Sequence, residues 1–125
     1  MKFKAIKENH LYAKAYAKGK KQVTPTVVVY VLRDRSAALI RRSDPQHRTW
    51  NRIGLTVSKK LGGAVVRNRV KRILREGYRA LDRETPVARG YLIVLAARQA
   101  AVGAKTERIR KDLARAFSAL EMIES

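Results

Sequence analysis

Cysteine is absent, and acids are scarce: ten Asp and Glu stand against 29 Lys and Arg. Without cysteine there is no disulfide and no thiolate metal site, which fits a reducing cytoplasm. No run of about 18 apolar residues occurs, so no transmembrane helix is expected. The N-terminal Met-Lys-Phe-Lys-Ala-Ile-Lys-Glu has no apolar signal region, so nothing points to secretion. Paired acid–base cleavage of RNA would want two histidines or a His with a carboxylate, and only His10, near the N-terminus, and His47, in a long loop, are present. Asp34, Asp44, Asp82 and Glu84 read as loop residues without metal-ligand spacing. No Walker-type glycine loop is present. A protein-borne nuclease centre is therefore not expected.

What remains is positive charge, a formal +19 over 125 residues. The length fits one domain, residues 1–125. The charge is uneven: residues 1–81 hold 21 Lys and Arg against four acids, and residues 82–125 hold eight against six. A field of this kind favours nucleic acid over a membrane surface, which wants a wider apolar sector and exposed Trp or Phe.

The basic character peaks in residues 62–79. Val66, Val70, Ile73, Leu74 and Leu81 recur at helical spacing and cover an arc of about 100°. The remaining circle carries Arg67, Asn68, Arg69, Lys71, Arg72, Arg75 and Arg79. A solvated helix face normally mixes signs at i,i+4. Here Arg67, Lys71, Arg75 and Arg79 repeat one sign at that spacing, each pair costing a few tenths of a kcal/mol. The pattern points to a polyanion that relieves the repulsion.

Earlier in the chain, residues 1–7 read as a basic mobile arm. Asn9 as N-cap and Gly19 as stop bound a first helix. Its Leu11, Tyr12, Ala15 and Tyr16 form a stripe. Tyr12 and Tyr16 fit either core aromatics or a platform for unpaired bases. Gly19-Lys20-Lys21 reads as a turn and Val23–Leu32 as a strand, with Tyr30 facing the same way as Val28 and Leu32. Residues 33–51 read as a long basic loop, in which Ala37–Ile40 is a short strand at most and Asp44-Pro45 a turn. It carries His47 and Trp50, to which the sequence assigns no role. Arg52–Ser58 alternates, with Gly54, Thr56 and Ser58 as a small face that admits either an extended ligand or a closely packed helix. Thr85–Gly90 is a loop, Tyr91–Ala97 a buried strand, and Thr106 the cap of a last helix with Ile109, Leu113, Ala116, Phe117 and Leu120 inward. The order implies an α+β sandwich of αβββαβα type, with helices packed on one sheet.

The run Ser58-Lys59-Lys60-Leu61-Gly62-Gly63-Ala64-Val65-Val66-Arg67-Asn68-Arg69-Val70-Lys71-Arg72-Ile73-Leu74-Arg75-Glu76 resembles the signature of the bacterial ribonuclease P protein component. Asn9, Tyr12, Tyr16 and Gly19 resemble the family's aromatic first helix, and Val27–Leu32, Tyr91–Arg98 and residues 106–120 its later elements. The resemblance implies a mostly antiparallel central sheet with a left-handed βαβ crossover. It implies a subunit bound to a catalytic RNA that holds the Mg²⁺ and removes the 5′ leader of precursor tRNA. On that resemblance Arg67, Asn68, Arg69, Lys71, Arg72 and Arg75, with Lys59 and Lys60, meet the RNA subunit. Tyr12, Tyr16 and Tyr30 hold the leader. Gly63 departs from the family, which usually has Asn there. A ribosomal or chaperone-like RNA-binding protein with no part in cleavage is the alternative.

Overall fold

The computed structural model describes residues 3–123. Five strands, β1 (Lys4–Ala5), β2 (Lys20–Val23), β3 (Val27–Arg33), β4 (Arg52–Thr56) and β5 (Tyr91–Ala97), form one sheet in the order β1-β4-β5-β3-β2. Four helices accompany them: α1 (Asn9–Lys18), α2 (Ala37–Ser43), α3 (Ala64–Glu84) and α4 (Thr106–Ala119). The α+β sandwich expected from the sequence is present. β3 pairs antiparallel with both β2 and β5, whereas β4 runs parallel to β5 and to β1. The parallel pair β4 and β5 is bridged by α3, which makes the βαβ crossover.

The two faces of the sheet are covered differently. Val27, Val29, Val31, Ile93 and Leu95 point into the main core with Val70, Ile73 and Leu74 of α3 and Ile109, Leu113 and Phe117 of α4. Leu92 and Val94 face the other way and meet Ile6, Leu11 and Ala15, with Tyr12, Tyr30 and Leu32 at the margin. This is why β3 and β5 are apolar on both sides. Gly77 lets α3 and α4 approach closely: a Cβ there would lie 2.7 Å from Ile109 Cγ2.

Several expectations are corrected. The arm is not free from Phe3 onward. Lys4 and Ala5 pair with Arg52 and Ile53, and Phe3 and Ile6 are buried; residues 1 and 2 lie outside the described part. Lys20 and Lys21 belong to β2 rather than a turn, and the strand read over 23–32 is broken at Pro25. Thr24 closes that turn, its hydroxyl donating to Val27 O at 2.6 Å. Residues 37–43 are helical, not a strand or open loop. Asn9 and Thr106 are first helical residues, and the caps before them are Glu8 and Lys105. Asp82 and Glu84 lie on α3 rather than in a loop.

The buried aspartates act as staples. Asp34 takes Arg52 Nε at 2.7 Å and Nη2 at 2.9 Å. Asp82 takes Val87 N and Arg89 Nη2. Asp112 accepts from both Thr26 N and Thr26 Oγ1. Asp44 Oδ2 accepts from Arg48 N, Arg48 Nε and Trp50 Nε1. Trp50 thereby gains a structural role: Lys4 Nζ and the Arg48 guanidinium lie 4.8 and 4.6 Å from its ring.

The Arg48 side chain is the main reason that the Asp44 carboxyl is held down to about 2. Because that value is below the ordinary aspartate range, the turn is stabilised above that range and loses the contribution as pH falls through about 2. Trp50 is the only tryptophan. Its emission should therefore change in acid, between pH about 4 and about 2. Arg48→Ala should move that change toward higher pH. An emission band that follows the same acid titration in both proteins would contradict the contact.

Candidate nucleic-acid interface

The approach to α3 is set by Ser58, whose hydroxyl accepts from Lys60 N at 3.2 Å and opens a short turn over Lys59–Leu61. Gly62 then adopts φ +147°, a backbone state side chains rarely allow. Lys59 and Lys60 project from this turn into solvent. A Cβ at Gly63 would meet nothing within 4 Å, so packing does not require glycine there.

The basic residues of α3 are not one uniform face. Arg67 Nε donates to Gly62 O at 3.2 Å, which turns the guanidinium back over the helix start. Arg69 Nη2 donates to Ala104 O at 2.9 Å, on the side of α4. Asn68 and Arg72 are exposed, and Arg72 Nε lies 4.0 Å from Glu76. Arg79 is placed over the Phe3 ring at 5.3 Å. Lys71 and Arg75 instead reach a cleft of about 290 Å³ whose wall includes Phe3, Ile6, Tyr12 and Leu55. Val65, 84% exposed, adds an apolar spot beside Arg69 on the first turn.

The tyrosines come together on the α1 side of the sheet. Tyr16 and Tyr30 meet edge to face, with centroids 4.8 Å apart and planes at 87°, worth about 0.5–1.5 kcal/mol. Tyr16 Oη lies 2.6 Å from Thr56 Oγ1, yet the residue is 40% exposed. A ring held by its hydroxyl and by a neighbouring ring, yet partly exposed, suits base stacking. Tyr12 is half-buried, and burial raises its phenol pKa, offset in part by a hydrogen bond to the Leu55 backbone. The small face of β4 is thus filled by a close helix at Gly54, directly under the Tyr12 ring.

Phe3 is a contributor that the sequence did not single out, whereas Thr56 and Ser58 belong to the small face read over Arg52–Ser58. Among the described residues no three His, Asp or Glu side chains gather as a metal site, and no helix is long and apolar enough to cross a membrane. The buried carboxylates are engaged by arginine or backbone donors, so their chemistry does not fit a protein-held Mg²⁺.

The family described as Ribonuclease P matches residues 1–121. The chain is 32% identical over 120 residues to a ribonuclease P protein component of Alkaliphilus oremlandii, covering 96% of this chain and 93% of that protein. It is 37% identical over 98 residues to one of Clostridium botulinum, covering 78% and 77%. Its structure is similar to the RNase P protein of Staphylococcus aureus, with a TM-score of 0.74 and 28% identity over 96% of this chain and 97% of that one. The fold is also that of the Thermotoga maritima RNase P protein, at a TM-score of 0.70 and 21% identity over 98% and 99% of the two chains.

Proposed function

This chain belongs to the ribonuclease P protein family, and from that premise we propose that it binds the catalytic RNA and the 5′ leader of precursor tRNA during leader removal. The observation that carries this reading is the shared cleft. Tyr12 of the aromatic surface and Lys71 and Arg75 of the basic helix line the same space along the edge of β4. RNA bound along α3 therefore lies next to the tyrosines, and a single strand can pass from one to the other without leaving the protein. Arg67, Asn68, Arg69 and Arg72, with Lys59 and Lys60, take phosphates of the RNA subunit. Tyr16 and Tyr30 stack leader bases, and Tyr12, on α1 against β4, supports them.

Mg²⁺ belongs with the RNA in this scheme. The protein contributes position and charge: it neutralises phosphates that would otherwise repel one another, and so lowers the Mg²⁺ needed. The test is precursor tRNA cleavage at low Mg²⁺ with protein alone, RNA alone, and both. Cleavage should need the RNA and be raised by the protein. Cleavage by the protein alone would overturn the scheme. No gain from adding it to the RNA would favour an RNA-binding protein without a part in cleavage.

A residue-level expectation follows from the tethering of two arginines. Arg67→Ala or Arg69→Ala should each reduce the slope of log affinity against log salt for the RNA subunit by about one, the value for one lost phosphate contact. Both should raise the Mg²⁺ requirement for cleavage. An unchanged slope returns that arginine to a purely structural role on its carbonyl.

A further inference from the structure

The segment 33–51 takes no part in the two surfaces above, yet it walls an open cleft of about 750 Å³ at the other end of the molecule. Arg33, Arg35, Arg41, Arg42 and Arg89 line it, with His47 at the rim. The one acid in the lining, Asp34, is already engaged by Arg52 and by Ser36 N. The nearby Asp44 is engaged by Arg48 and Trp50. Arg89 is paired with Asp82 at 2.8 Å, so the cleft presents Arg33, Arg35, Arg41 and Arg42 as its cations, with no free carboxylate in its lining.

A basic loop can simply be solvated, its arginines splayed into water. Two features argue otherwise here. Arg41 Nε donates to His47 O at 2.9 Å, which folds α2 back on the following turn. The Arg33 guanidinium is held against the Tyr91 ring at 5.8 Å. The floor is small: Ala37, Ala38 and Gly90 contribute almost no side-chain bulk. Gly90 has φ +92°, and even a Cβ there would only reach ordinary contact with Thr49 and Ala37. An elongated anion can settle between guanidinium groups whose forked donors match phosphate oxygens.

The position also matters. The cleft adjoins the start of β4, while Lys59, Lys60 and Arg67 lie beyond its end. Five strand residues span about 17 Å, more than the roughly 8 Å over which charges interact at physiological salt. The two basic sites must act on different phosphates.

We propose that this cleft is a second RNA site, built by α2 and its flanking loops, that grips a phosphodiester backbone away from the α3 surface. It rests on the reading above only in taking RNA as the polyanion. That backbone comes from the RNA subunit or from the body of the precursor tRNA, and the experiment separates them.

Arg35 and Arg42 are exposed and make no hydrogen bond or ion pair among the described residues, so Arg35→Gln/Arg42→Gln should fold with an unchanged melting temperature. Binding is titrated against salt for the wild type, this double variant and Arg67→Gln, with the RNA subunit alone and with mature tRNA presented to the reconstituted holoenzyme. The double variant should lose about two from the salt slope for one of the two RNAs, and that RNA is the one held. Slopes equal to wild type for both RNAs would overturn the proposal, while Arg67→Gln reports separately on the α3 surface. If wild-type protein binds neither RNA, the second site and the proposed function fall together. A double variant that melts early is replaced by Arg35→Lys/Arg42→Lys. These lysines keep the charge but lose the fork, so the slope should stay while affinity drops several-fold; unchanged affinity would overturn the fit to phosphate.

Discussion

Gly54→Ala will displace Tyr12 and cost the protein its leader affinity while leaving binding of the RNA subunit nearly unchanged. A Cβ at Gly54 would lie 2.5 Å from Cε1, Cζ and Oη of Tyr12, closer than any real contact allows. Gly54 has an extended backbone, so alanine itself introduces no strain in β4. The ring must move, either by swinging away from β4 on its own side chain or by shifting α1. Where α1 shifts, Tyr16 loses its grip on Thr56 and its edge contact with Tyr30. The overpacking costs about 1–3 kcal/mol of stability. Each base stack lost costs a further 1–3 kcal/mol, roughly, of leader binding. Precursor tRNA should be bound about tenfold or more less tightly, with mature tRNA unaffected. Adding Tyr12→Leu in the same chain removes the clash and should restore the melting temperature without restoring full leader affinity. Equal losses for precursor and mature tRNA would return the tyrosines to a packing role.

Tyr78→Ala should produce the largest loss of stability. Tyr78 is 0% exposed and has Phe3 on one side at 5.5 Å and Phe117 on the other at 6.0 Å. Its hydroxyl accepts from Asn51 Nδ2 at 3.2 Å, and burial is the main reason its phenol is pushed up to about 12. It is therefore a neutral hydrogen-bonding aromatic at any working pH. Truncating a large buried aromatic costs about 3–5 kcal/mol, against a typical total of about 5–15 kcal/mol. Chemical denaturation should show this directly. Tyr78→Phe keeps the ring and should lose only about 0.5–1.5 kcal/mol for the hydrogen bond. If both variants cost the same, the hydroxyl rather than the packed ring holds this part of the core.

Tyr78 also shows where the sequence stops being legible. It lies between Gly77 and Arg79 in a run of cations, and a polar-tipped aromatic there does not announce itself as the centre of a core. β5 was readable to the residue, because Tyr91–Ala97 is a continuous apolar run closed on one side by Gly90. α3 was readable because its apolar positions keep helical phase for about four turns. α2 was not: it buries none of its residues, so Ala37–Ile40 carries no periodicity to separate helix from strand. The docked arm escaped for a related reason. Two strand residues are too few for alternation, and the buried Phe3 and Ile6 flank them separated by lysine and alanine. The basic and aromatic site residues could be picked out one by one, but their meeting in one cleft depends on how α1 and α3 flank β4, which no local pattern encodes.

The two-residue pairing of Lys4 and Ala5 with Arg52 and Ile53 has a dynamic consequence. It joins parts of the chain about 48 residues apart, so forming it means closing a long loop for the return of a very short ladder. Such a contact forms late in folding and opens first under native conditions. Phe3, Ala5 and Ile6 also wall the cleft that Tyr12 shares with Lys71 and Arg75. Peeling back this edge would widen the cleft and leave the rest of the sheet paired, while drawing Phe3 away from the Tyr78 ring. On the proposed use of this cleft, the arm would serve as a gate to RNA entry. The amides of Lys4 and Ile6, bonded to Asn51 O and Ile53 O, should exchange with solvent well before those of β3 and β5, and bound RNA should slow them; equal protection across all five strands would show the edge to be fixed.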